Sequence, residues 1–145
     1  MRTLVAAVLV TFAMVSPLDA QDRQVIKTAG PPGLPFSSAV RVGNMLYLSG
    51  QIGVLPGTTQ LVDTGTAAQI RQTLENIKTV LGAAGSSMDR VVKCTVFLAD
   101  MRDYATMNEI YRGYFPGDPP ARSTVAVSGL AFGAKAEIEC LATVG

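Results

Sequence analysis

The chain has 145 residues, the size of one ordinary domain, with 48% hydrophobic and 16% charged residues and a mean hydropathy of +0.32. A disordered chain needs the reverse balance, and a formal net charge of +1 gives neither a basic nucleic-acid footprint nor an acidic tail. There is no histidine, and the only cysteines are Cys94 and Cys140. This excludes histidine-based triads, Cys-His pairs, H-E-x-x-H zinc helices and four-cysteine zinc sites. An enzyme made from this chain works with carboxylates, arginine, hydroxyls, backbone groups and water. The two cysteines either pair or stay as small buried apolar residues.

Met1-Arg2 followed by the apolar run "TLVAAVLVTFAMV" and the break Ser16-Pro17-Leu18-Asp19-Ala20 has the order of a cleavable signal peptide. It is shorter than the roughly 20 apolar residues of a membrane span. Cleavage after Ala20 makes residues 1–20 the signal and residues 21–145 a single domain, periplasmic or secreted and free of the membrane. If Met14 is the start, the protein is cytoplasmic. Gly30-Pro31-Pro32-Gly33-Leu34-Pro35 reads as a rigid loop. A short strand over 25–28 precedes strands over 39–42 and 45–50, joined by a Gly43-Asn44 hairpin turn.

A helix opens over 63–66, with Thr66 and Gln69 spaced as a capping box. It carries Ile70, Leu74, Ile77 and Leu81 on one face and stops at Gly82 and Gly85. "VVKCTVFL" over 91–98 is β-branched and reads as a strand. A turn over 100–103 leads into a second helix over 104–114, with Tyr104, Met107, Tyr111 and Tyr114 along one, core-facing side. After Pro116-Gly117-Asp118-Pro119-Pro120, strands over 123–127 and 135–144 complete the order β-β-β-α-β-α-β-β, a mixed sheet covered by helices. Two helices cover one face of such a sheet. Yet "MLYLSG" and "VVKCTVFL" are apolar at both odd and even positions, so another subunit is expected on the second face.

Three clusters carry candidate chemistry. Pro120-Ala121-Arg122-Ser123-Thr124 presents an arginine fork at a strand start, suited to a carboxylate or phosphate. Glu137 and Glu139, two apart on a strand, share a face, where paired carboxylates raise one another's pKa. Ala136, Ile138, Cys140 and Ala142 take the opposite, core face. Ser49-Gly50-Gln51 ends a strand, where a glycine marks a turn or a close backbone approach. Asn108, read alone, is a surface residue of the second helix. There is no P-loop or G-x-G-x-x-G fingerprint, and the basic residues form no runs.

In combination, order and spacing, "GNMLYLSGQIGV", "AAQIRQTLENIKTVLGAAG", "RVVKCTVFLADMRDYATMNEIYRGYF", "PPARSTVAV" and "KAEIECLA" resemble the Rid family (reactive intermediate deaminase, also called the YjgF or L-PSP endoribonuclease family) over about 24–144. The resemblance implies a chorismate-mutase-like α/β (α+β) subunit, a mixed sheet with two helices on one face, assembled as a homotrimer with active sites in clefts between subunits. It implies hydrolysis of reactive 2-enamino and 2-imino acids, of the 2-aminoacrylate type, to 2-oxo acids and ammonia without metal or cofactor. By resemblance, Arg122 holds the substrate carboxylate and Glu137 orients or activates the attacking water, positioned with Thr124. Phe36, Ser49, Gly50, Gln51 and Asn108 line the cleft. Thr124 stands where the family often has Cys, and its hydroxyl can still hydrogen-bond a water. Phe36 stands where it often has Tyr and lacks that hydroxyl. Two other readings are an RNA-cleaving or translation-inhibiting protein, which the charge and signal disfavour, and a non-catalytic, holdase-like trimer that binds small carboxylates.

Overall fold

The computed structural model describes residues 22–30, 33–62 and 65–145. The signal segment, Pro31 and Pro32 of the early loop, and residues 63–64 ahead of the first helix lie outside the described residues. Seven strands and two long helices follow in chain order: β1 Arg23–Ile26, β2 Ala39–Val42, β3 Met45–Leu48, β4 Gln51–Ile52, α1 Thr66–Ala83, β5 Val91–Leu98, α2 Tyr104–Tyr114, β6 Ala121–Ala126 and β7 Ala136–Thr143. The sheet order is β1-β2-β3-β7-β5-β6, with β4 also beside β7. Every pairing is antiparallel except β5 with β6, where α2 carries the chain back to the same end of the sheet.

Local chemistry explains most of these boundaries. Val42 pairs with Met45 across Gly43-Asn44, and Gly43 takes φ 59, as a primed hairpin turn demands. The long helix ends in a Schellman motif: Ser86 N–H donates to the Leu81 carbonyl and Gly85 N–H to that of Gly82, with Gly85 at φ 74. Gly85 is therefore the stop, and Gly82 lies inside the last turn. The expected capping box does not form. Gly65 is the N-cap and Thr66 is already helical. Gln69, only 1% exposed, faces the sheet, where its Oε1 accepts the Lys135 N–H at 2.9 Å. Several strand ends move by one or two residues from their sequence positions because partners set them: Ile26 ends β1 opposite Ala39, and Ala121 opens β6 opposite Lys93.

The core lies on one side of the sheet. Ile70, Leu74, Ile77 and Leu81 of α1 are fully buried, as are Leu46, Val96, Leu98, Ile138 and Met107. Each such side chain contributes about 1.5–3 kcal/mol. Ala136, Ile138, Cys140 and Ala142 all point into this layer. Tyr104 departs from its expected place in the core stripe and is 40% exposed, whereas Met107 and Tyr111 are buried. On the other side, Val25, Tyr47 and Val125 are 39%, 48% and 44% exposed, and no element among the described residues covers them.

Cys94 and Cys140 sit directly opposite one another on β5 and β7 and form a disulfide, the pairing alternative of the two the sequence left open. It closes a 46-residue separation inside the core. Replacing both cysteines with alanine is expected to lower unfolding free energy by about 2–4 kcal/mol. The check is chemical denaturation of both proteins, with thiol titration confirming the absence of free thiols in the parent.

Candidate active site

Strand pairing decides which site residues can meet. Residues directly opposed in a ladder share a face, and successive residues alternate. Cys94 opposes both Arg122 and Cys140, so Arg122 and Thr124 lie on the helix side. Phe97 opposes both Glu137 and Val125, so Glu137 and Glu139 lie on the open side. Arg122 and Glu137 are two strands and three residues out of step, roughly 14 Å apart at Cα by strand spacing and rise, with side chains pointing in opposite directions. One chain therefore carries two separate clusters, each a candidate half-site.

The first half-site is built around Arg122 at the start of β6. Its Nη2 donates to Asn108 Oδ1 at 2.6 Å, and Nη1 lies 3.6 Å from the Met107 sulfur. The guanidinium sits 4.7 Å from the Tyr111 ring centroid and 5.9 Å from that of Tyr104, cation–π distances that fix its plane. No carboxylate pairs with it among the described residues. Asn108, Tyr111, Arg122 and the proline loop after α2 enclose a cleft of about 570 Å³. Burial pushes the Tyr111 phenol up to about 12, against the opposing pull of the Arg122 charge, so it is neutral at every physiological pH. The Tyr111 hydroxyl and Thr124 Oγ1 are buried without a hydrogen-bond partner among the described residues.

The second half-site forms around Glu137. Burial, and then the nearby Glu139 charge, raise its carboxyl above the usual range. Gly50 makes room for it: a Cβ there would collide with Glu137 Oε1 and come within 2.8 Å of Cδ. Ser49 donates its hydroxyl to the Ser37 carbonyl at 2.7 Å, and the Gln51 amide folds back onto the Ser49 and Gly50 carbonyls. Asn76 of α1 donates to the Ile52 and Val54 carbonyls, each at 3.0 Å, so the helix holds this segment. Gly50, Gln51, Phe36 and Glu137 line a cleft of about 300 Å³ with mainly apolar walls.

The structure thus brings Arg122, Asn108 and Thr124 together, and brings Phe36, Ser49, Gly50, Gln51 and Glu137 together. It does not bring Glu137 and Thr124 to one place within a chain. Sequence reasoning missed Tyr111 and Tyr104 as the arginine's platform. Their signal was present in the helical spacing, but it also reads as core. It missed Phe132 beside the second cleft, which no sequence signal marks.

A single open sheet with two helices on one face defines a class of small α+β proteins, and in this one Arg122 and Glu137 lie on opposite sides of the sheet. The sequence profile described as endoribonuclease L-PSP matches residues 26–144, and the chain belongs to that family, also known as YjgF or Rid. It is 45% identical over 125 residues to mouse 2-iminobutanoate/2-iminopropanoate deaminase, spanning 85% of this chain and 93% of the mouse protein. It is 46% identical over 125 residues to the human protein of that name, spanning 85% and 91%. The solved structure of the Escherichia coli YjgF gene product superposes with a TM-score of 0.77 at 40% identity, covering 83% of this chain and 98% of that one.

Gly50→Ala is expected to leave the fold intact by circular dichroism while driving the Glu137 carboxyl toward solvent. Its pKa should then fall back toward the ordinary glutamate range, as followed by NMR titration of side-chain carboxyls.

Proposed function

We propose that this protein hydrolyses reactive 2-imino acids, and the 2-enamino acids that tautomerise to them, to 2-oxo acids and ammonia. The observation that carries the reading is the pair of half-sites. An arginine fork without a carboxylate partner suits an α-carboxylate, and a desolvated glutamate suits general-base work on water. The names of the mouse and human relatives support it.

In this reading, Arg122 clamps the substrate carboxylate, held in plane by Asn108 and the tyrosine rings. Glu137 of a neighbouring copy takes a proton from water as the water oxygen attacks the C=N carbon. That proton passes to the nitrogen, and the carbinolamine collapses to the C=O product with loss of ammonia. The Thr124 hydroxyl, on the Arg122 side, hydrogen-bonds the same water once two copies meet. The uncatalysed reaction is already easy, so positioning supplies most of what the site must add. The exposed second face, apolar at Val25, Tyr47 and Val125, supports assembly as a homotrimer with its clefts between subunits. The Cys94–Cys140 disulfide supports export to an oxidising compartment, periplasmic or extracellular.

The test is ammonia release from freshly generated 2-imino acids. Arg122→Ala should lose about 100-fold in kcat/KM, the worth of a charge-assisted carboxylate contact. Equal rates for variant and parent would remove Arg122 from the site. Mixing and refolding Arg122→Ala with Glu137→Gln chains should recover about a quarter of the parent rate, because random assembly around a closed ring rebuilds that share of intact sites. No recovery would overturn a site shared between two copies.

Glu137 acts as a carboxylate, so the rate is lost as pH falls through its raised pKa. The acid limb of the kcat/KM profile should lie above the ordinary glutamate value of about 4.3, and Glu139→Gln, by removing the adjacent negative charge, should move that limb to lower pH.

A further inference from the structure

The walls of the Glu137 cleft hold two aromatic rings in water: Phe36 is 58% exposed and Phe132 is 52% exposed, and both line it with Leu34 and Leu55. Phe132 is also the one non-glycine among the described residues with positive φ, at φ 57 and ψ 15. Left-handed backbone is uncommon for any side chain and an outlier for a bulky one. Gly or Asn would meet the backbone demand with less strain, so the backbone alone does not account for a phenyl ring here. The turn is pinned by the Gly133 N–H to Leu130 and the Ala134 N–H to Ala131 carbonyls. It feeds directly into β7, placing the ring at the rim five residues ahead of Glu137.

The substrate's imino carbon has three substituents. The carboxylate goes to Arg122 and the nitrogen lies within reach of water and Glu137, which leaves the side chain to face the apolar wall. A cleft of about 300 Å³ is far larger than a methyl group needs. Resting on the imine-hydrolysis reading, we propose that Phe132, together with Phe36, forms the subsite for the substrate side chain. Phe132 is a specificity-determining residue, and the protein selects 2-imino acids with bulky apolar side chains, branched or aromatic, over the methyl-bearing one.

The experiment generates imino acids in place from alanine, leucine and phenylalanine with an amino-acid oxidase and measures kcat/KM for each. The parent should favour the leucine- and phenylalanine-derived imines over the alanine-derived one by about 10-fold or more, and Phe132→Asn should collapse that ratio by about 10-fold, chiefly through KM. Asn tolerates the left-handed backbone, so the variant removes the ring without breaking the turn. A parent that favours the alanine-derived imine overturns the proposal, as does a variant that slows all three in proportion. A variant that falls apart by native mass overturns it too, by assigning the ring to subunit contact. A parent inert on every imine overturns the imine-hydrolysis reading itself, an outcome distinct from the other three.

Discussion

Side-chain alternation along β7 is the constraint on which the molecule depends. β7 is the strand on which three others converge, pairing with β3, β4 and β5, and its odd and even residues have opposite jobs. Ala136, Ile138, Cys140 and Ala142 fill the space under the helices, while Glu137 and Glu139 face away from it. A one-residue slip would exchange the two sets, putting two carboxylates into a dry core. The disulfide to Cys94 and the Gln69 contact to Lys135 both act on this strand, so register, core packing and site position are fixed together.

Each half-site is prepared by packing rather than by opposing charge. Arg122 leans on a sulfur, two rings and one amide oxygen, which hold its plane without neutralising it. Glu137 lies against bare backbone at Gly50, where lost hydration first, and the neighbouring Glu139 charge second, raise its proton affinity. A guanidinium paired with an internal acid would have to break that pair to take a substrate, and a fully hydrated glutamate would be a weak base.

Much of this was legible in the sequence. The spacing of Ile70, Leu74, Ile77 and Leu81 fixed the buried face of α1, Gly43-Asn44 marked the hairpin, and alternation in "KAEIECLA" separated core from carboxylates. Each of these signals is local. What escaped was set by pairing distant in sequence. Thr66 and Gln69 have capping-box spacing, but Gln69 is claimed by a backbone N–H 66 residues away. Tyr104 and Tyr111 share a helical stripe, yet only the position of β6 makes one a buried platform and leaves the other at the edge. That Arg122 and Glu137 face opposite ways follows from Cys94 opposing Arg122, a register that no single strand encodes. The left-handed Phe132 leaves no trace in composition or period.

The two-sided layout also has a consequence for geometry. A contact that presents the arginine side of one copy to the glutamate side of the next is head-to-tail. Repeated, it either closes on itself or continues without limit. In a closed ring every half-site is matched and the number of complete sites equals the number of subunits. In an open chain one arginine half and one glutamate half are always left at the ends. In the proposed assembly the angle at which successive subunits meet, a property of no single residue, would therefore decide between a closed particle and a fibre.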